Sequence, residues 1–329
     1  MKRIPIHVVL PVVLLIACSR DMSETVFRTK DIDYLGFSTR SLLSEENIET
    51  KKTEITLAAY GEDGLLAAEQ YYTSDLDALI LELESGRNYT VYALVNMGDL
   101  TGFIPRSESD LENLTYRISS YTEGSEAIAR HGIPMSGKLS YPGSGSIIPV
   151  ERLLAKVTVQ ISCEWPGAAI QSVRVCQLNR LLRPFGDAVM EEDWDQYEFQ
   201  VGTRTSSGTF VFYVPENKQG TIEGIQTSQE KCPDRNDDIR SRSSYLTYLE
   251  TVVEGTDIYV GTITYRSYLG QDAVSDFNIL RNAHYCWTIR CLENGLQYDD
   301  WKHDNNLIDT QSGLHIDDGW DDGGEEELH

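Results

Sequence analysis

Leu153, Ala155, Val157, Val159 and Ile161 occupy every second position of one stretch, with Lys156, Thr158 and Gln160 alternating between them and Arg152 leading in. A period of two places all five apolar side chains on one face of an extended strand. A helix would scatter them around its circumference. Leu154 is the exception to the pattern. Composition pulls the other way, because the segment is rich in good helix formers and Glu151-Arg152 sits where a helix could begin. Burial of a whole face outweighs a few tenths of a kcal/mol per residue of helix propensity. Residues 149–162 are therefore expected to form one long strand opening a second domain.

The same period recurs along the chain. Ile55, Leu57 and Ala59 share a face, as do Leu79, Leu81 and Leu83, and then Tyr89, Val91, Ala93 and Val95. The turn residues Ser85-Gly86-Arg87-Asn88 between the last two sets predict a hairpin. Leu111, Leu114 and Ile118 follow Ser109 at helical spacing and predict one short helix. Gly and Pro cluster over residues 133–149 and mark a domain boundary. Beyond it, strands are expected at 173–175, 209–214, 245–253, 258–266 and 285–292, with long loops over 181–208 and 215–244. Many short strands and few helices predict an all-β chain of two β-sandwich domains.

The chain opens with Met1-Lys2-Arg3 and a short apolar run over residues 4–16, broken by Pro5 and Pro11. The run is too short to span a bilayer as a helix and reads as a signal peptide. It ends Leu15-Ile16-Ala17-Cys18, which resembles the bacterial lipobox. That resemblance implies cleavage after Ala17 and lipid on Cys18, the expected membrane anchor. The expected division is a signal peptide at 1–17, a tether at 18–35, an N-terminal sandwich at 36–149, a C-terminal sandwich at 150–298 and an acidic tail at 299–329. The tail reads as solvated. With 28 Lys and Arg against 52 Asp and Glu, the net charge of −24 repels phosphate backbones and argues against nucleic acid as a partner.

Five cysteines follow Cys18: Cys163, Cys176, Cys232, Cys286 and Cys291. An odd number leaves at least one unpaired. Cys163 and Cys176 fall in neighbouring expected strands and could pair if the register allows, although isolated buried thiols are the simpler reading. No nucleophile, zinc or phosphate-binding motif is present, and no cofactor or metal is expected. Asp234, Asn236 and Asp238 place oxygen atoms at alternate positions like a calcium loop. Ile239 stands where such a loop needs Gly, and no Glu closes it.

Five segments in order, "NYTVYALVNMGDL" (88–100), "IPMSGKLS" (133–140), "VERLLAKVTVQI" (150–161), "FYVPENKQG" (212–220) and "YRSYLGQDAVSDFNILRNAHYCWTI" (265–289), resemble the fimbrillin-like surface lipoproteins of Bacteroidales. These FimA- and Mfa-type proteins include pilins and the anchor and tip subunits of fimbriae. The resemblance implies two transthyretin-like sandwiches, export to the outer membrane through lipid on Cys18, and no catalysis. It also implies fimbrial subunits as partners by donor-strand exchange, and a host or bacterial surface receptor. In polymerising members an arginine-specific protease removes the N-terminal segment and opens a groove for an incoming strand. Arg40 in "FSTRSLLSEEN" is the matching position, with Arg28 and Arg20 as weaker ones. The "VPEN" and "YLG…DFN…RN" elements resemble the anchor or tip branch more than the shaft. The acidic end, after a weak alternation over residues 307–316, also favours a terminal role. A second reading is a glycan-binding surface lipoprotein, since eighteen Tyr and five Trp could offer stacking platforms. A third, a hydrolase on a β scaffold, would need two carboxylates about 5–10 Å apart in one pocket.

Overall fold

The computed structural model describes residues 32–40, 51–76, 79–118, 128, 130–142, 147–164, 166–188, 194–233, 236–255, 261–291, 302–304 and 308–311. The N-terminal half contributes β1 (Ile32–Arg40), β2 (Ile55–Gly61), β3 (Leu66–Tyr72), β4 (Leu79–Glu84), β5 (Tyr89–Val95), β6 (Tyr116–Arg117), β7 (Met135–Tyr141) and β8 (Ile147–Arg152). The C-terminal half contributes β9 (Leu154–Cys163), β10 (Ala169–Asn179), β11 (Leu181–Leu182), β12 (Trp194–Thr205), β13 (Ser207–Pro215) and β14 (Asn217–Thr221). It continues with β15 (Tyr248–Gly255), β16 (Gly261–Tyr268), β17 (Asp276–Ile279), β18 (His284–Cys291), β19 (Lys302–Asp304) and β20 (Ile308–Gln311). The all-β expectation holds, and all of these elements belong to one compact unit beginning at Ile32.

Seven strands form the first sheet, in the order β3-β2-β5-β7-β8-β1-β4. Leu79, Leu81 and Leu83 of β4 meet Ile55, Leu57, Val91, Val95 and Met135 in one core. The faces read from periodicity are therefore correct, but the predicted hairpin is not. β4 pairs with β1, while β5 pairs with β2 and β7. The turn after β4 carries the chain across the core to a strand that is not its neighbour in the sheet order. β2 and β5 are buried on both faces, because Ala58, Tyr60, Tyr92 and Leu94 turn away from this core into the larger one.

The larger core lies between two C-terminal sheets, β12-β10-β15-β16-β19 and β13-β9-β18-β20. It gathers Val157, Val159 and Ile161 of β9, Val173 and Val175 of β10, Phe212 of β13, Tyr265 of β16 and Trp287 of β18. The long strand expected over 149–162 is two strands, divided at Leu153. β8 stays in the first sheet, and Ile148, Val150 and Arg152 share its buried face. The period of two places Arg152 on the polar face with Lys156, Thr158 and Gln160. Arg152 is instead buried with the core positions of β8 and donates to Asn282 Oδ1 at 3.1 Å.

Other expectations change in detail. The helix read from Leu111, Leu114 and Ile118 is one turn, Glu108–Leu111, and Tyr116 and Arg117 then enter β6. The expected loop 181–208 holds β12, and 215–244 holds β14 and a short helix, Asp237–Arg242. Asn236, read as a calcium-type oxygen, caps that helix by accepting from the N–H groups of Asp238 and Ile239. Ile239 is buried in a satellite core with Cys232, Leu246 and Phe277. The tail supplies two short strands: β19 beside β16, and β20 beside β18. Cys163 and Cys176 lie on strands of different sheets, and both are thiols.

Candidate functional site

β1 sits inside the first sheet as a strand with two different neighbours. Its residues 32–37 run antiparallel to β4, from Ile32 opposite Glu84 to Phe37 opposite Leu79. Its last three residues, Ser38, Thr39 and Arg40, run parallel to Ile147, Ile148 and Pro149 of β8. Arg40 is the final residue of the strand. Parallel and antiparallel ladders space their hydrogen bonds differently. A single strand that satisfies both ties β4 to the rest of the sheet, and within that sheet β4 pairs with β1 alone.

The walls of this slot follow from their sequences. β4 alternates buried Leu79, Leu81 and Leu83 with Ile80, which is 51% exposed, and Glu82. β8 does the same, with Ile148 and Val150 inward and Ile147 outward. The inward side chains belong to one apolar core beneath the sheet. β8 reaches the slot by changing partners. It pairs with β7 from Val150 to Arg152 and with β1 from Ile147 to Pro149. The backbones of β7 and β8 approach so closely at the changeover that a Cβ on Gly137 would stand 1.9 Å from the Pro149 carbonyl oxygen.

A second constellation joins the two halves. Residues 183–186 lie against the outer side of β7, and Arg281 holds them there. Its guanidinium donates to the Arg183 carbonyl (2.9 Å), the Gly186 carbonyl (2.9 Å) and Glu216 Oε2 (3.0 Å). Ser136 Oγ donates to the Pro184 carbonyl. Phe185 packs edge-on against Tyr92 at 4.9 Å. A Cβ on Gly186 would fall 2.3 Å from the Glu112 carbonyl oxygen. Tyr92 donates to Glu108 Oε1 at 2.7 Å, and burial together with that carboxylate pushes its phenol up. β6 and β11 pair nearby as a second bridge. An open cleft of about 840 Å³ beside this junction is lined by Asp63, Glu108, Glu112, Glu151, Lys138 and Arg281, among others.

Ala17, Cys18, Arg20 and Arg28 lie outside the described residues. Of the residues read from sequence as candidate sites, Arg40 is the one placed, at the end of β1. Among the described residues no group of three or more His, Cys, Asp or Glu side chains could hold a metal ion. No helix there is long and apolar enough to cross a membrane. Phe103, 75% exposed, stands alone as an exposed aromatic among the described side chains, so they present no row of stacking platforms. Sequence reasoning missed Arg281. Its four partners, Arg183, Pro184, Gly186 and Glu216, lie far from it along the chain, and nothing local marks it.

Known proteins resemble this architecture. Residues 212–289 match a family model described as a domain of unknown function, DUF4906. No curated protein matches the sequence. Several solved structures do match the fold. The tip fimbrial protein Mfa3 from Porphyromonas gingivalis, with a C-terminal truncation, is similar at a TM-score of 0.57 and 14% identity, covering 87% of this chain and 99% of that one. A candidate cell adhesion protein from Bacteroides eggerthii gives 0.56 and 13%, covering 84% and 93%. A fimbrilin, FimA, from Porphyromonas gingivalis gives 0.50 and 14%, covering 78% and 89%. The fold of this chain is the fimbrillin-like all-β fold shared by these fimbrial and adhesion proteins.

Proposed function

We propose that this chain is a non-enzymatic subunit of a cell-surface fimbria that acts in assembly and adhesion. One observation carries the reading: β1 ends at Arg40 and is the strand through which β4 joins the sheet. Cleavage after Arg40 would release β1 whole, leaving β4 and β8 with unpaired edges above an apolar floor. An incoming strand from another subunit would satisfy both. The resemblance to a tip fimbrial protein and a fimbrilin supports the same reading. Lipid on Cys18, after signal cleavage at Ala17, would hold the precursor at the outer membrane, surface-exposed.

The position we infer is terminal and tip-like. The slot equips the chain to accept a strand, whereas β20, the last strand among the described residues, lies on β18 of its own sheet. The test is digestion of the purified chain with an arginine-specific protease, followed by N-terminal sequencing and mixing with candidate partner subunits. A new N-terminus at Ser41 and a stable complex that forms only after cleavage are expected. An Arg40→Ala variant should resist both. Cleavage that leaves 32–40 intact, or association that needs no cleavage, would overturn the reading.

A further inference from the structure

The five cysteines after Cys18 are all thiols in the structure, and their surroundings differ. Cys176 lies on β10, where burial pushes its thiol up to about 11. Cys232 is enclosed in the satellite core. Cys286 on β18 has its Sγ 3.6 Å from His284 Nε2. Cys163 and Cys291 stand apart from these. They are the last residues of β9 and β18, and they are register partners in that parallel pair. Both pack on the same core.

In-register partners on neighbouring strands project from the same face. Strands lie about 4.8 Å apart, inside the roughly 4.4–6.8 Å between Cα atoms that a disulfide spans. The backbone on each side is already fixed. The Cys163 N–H donates to the Ser206 carbonyl at 2.7 Å, and the Glu164 N–H donates to the Cys291 carbonyl at 3.0 Å. Arg290 Nε donates to Glu164 Oε1 at 2.6 Å across the same strand ends. The neighbouring Cys163 side chain, together with burial, holds the Cys291 thiol well above its ordinary value.

We propose that Cys163 and Cys291 are a covalent modification site, closing into an intramolecular disulfide across β9 and β18 when the chain meets a disulfide oxidant. Cys163 is partly exposed and Cys291 is fully buried, so Cys163 reacts first. Its thiolate cleaves the S–S bond of oxidised glutathione, forming a mixed disulfide and releasing one reduced glutathione. The Cys291 thiolate then attacks the Cys163 sulfur and releases the second. Two S–H bonds break and one S–S bond forms. The two electrons and two protons leave with the glutathione pair.

The linked product closes the chain between residues 163 and 291. It pins the exit of β18 to β9 where the chain leaves for its tail.

The test uses the full chain, purified under reducing conditions and then exposed to oxidised glutathione, so the outcome is independent of where the protein resides. Non-reducing tryptic mapping should join peptide 157–174 to peptide 291–302 within a monomer, with two thiols lost per chain. The melting temperature should rise by several degrees and fall back on reduction. A Cys163→Ser variant should lose that rise, and a Cys176→Ser variant should keep it. A stable glutathione adduct on Cys163 with Cys291 still a thiol would overturn the proposal. So would a link from either residue to another cysteine, or a dimer joined through Cys163.

Discussion

Replacing Arg281 by Ala tests whether the junction of the two halves is held by one buried ion pair. Arg281 is 19% exposed at its side chain and Glu216 only 4%. Removing the guanidinium leaves the Glu216 carboxylate in the interior with Lys218, 3.3 Å from its other oxygen and itself 42% exposed, as its remaining cation. Breaking a buried pair from one side costs about 3–5 kcal/mol, because the surviving charge is uncompensated. The Arg183 and Gly186 carbonyls also lose their donor, at about 1 kcal/mol each if water does not replace it. Lys218 offsets part of the first term, so a net loss of about 3–4 kcal/mol is expected. Urea unfolding followed by tryptophan fluorescence measures it. An Arg281→Met, Glu216→Leu double variant should recover most of the loss, since an apolar pair needs no compensating charge. A loss below about 1 kcal/mol, or a double variant whose loss equals the two single losses added together, would refute the reasoning.

Gly137→Ala forces a methyl group into the Pro149 carbonyl, so β7 and β8 must separate at the changeover; a loss of about 3 kcal/mol is expected in thermal unfolding. Asn96→Asp should cost about 2–4 kcal/mol in urea. Its amide donates to the Lys51 and Ile133 carbonyls at 2.8 and 2.9 Å, and a carboxylate there would face both oxygens with no proton to give. Lys231 is 1% exposed, and burial lowers its pKa to about 7, opposed in part by Asp272 and Asp276. The unfolded lysine holds its proton up to about pH 10.4, whereas the folded one releases it near 7. The unfolded state therefore binds more protons between these values, and stability rises with pH there by about 1 kcal/mol per unit. Compared with Lys231→Met, the wild-type chain should gain stability from pH 7 to 9, measured by urea midpoints at each pH. Equal slopes for the two proteins would refute this.

Periodicity revealed faces, and it could not reveal partners. Leu79, Leu81 and Leu83 were legible as one inward row, as were Tyr89, Val91, Ala93 and Val95, because each row lies on a single core. A period of two is the same whether a strand pairs with its sequence neighbour or crosses the core, so the pairing of β4 with β1 was not legible. β12 was missed because Asp195, Gln196, Glu198 and Gln200 leave its sequence, Trp194–Thr205, too polar to read as a strand, as suits its place at a sheet edge. The six-residue helix Asp237–Arg242 is too short to display a period, and its cap Asn236 carries the same oxygen atoms that a calcium loop would. Arg40 was legible from its neighbourhood as a cleavage candidate. Its position at the last register pair of β1 depended on contacts with β8, more than 100 residues along the chain.

Leu153 alone separates β8 from β9, and its N–H is held by the Pro134 carbonyl at 2.9 Å. Backbone tension between the first sheet and the C-terminal sheets passes through that one residue into the end of β9, beside the Arg281 junction and the β6–β11 pair. β9 is an interior strand, antiparallel to β13 on one side and parallel to β18 on the other. A pull along it therefore drags both ladders lengthwise, and their hydrogen bonds, which cross between strands, resist together instead of unzipping one by one. A chain built this way transmits force from one half to the other with little extension.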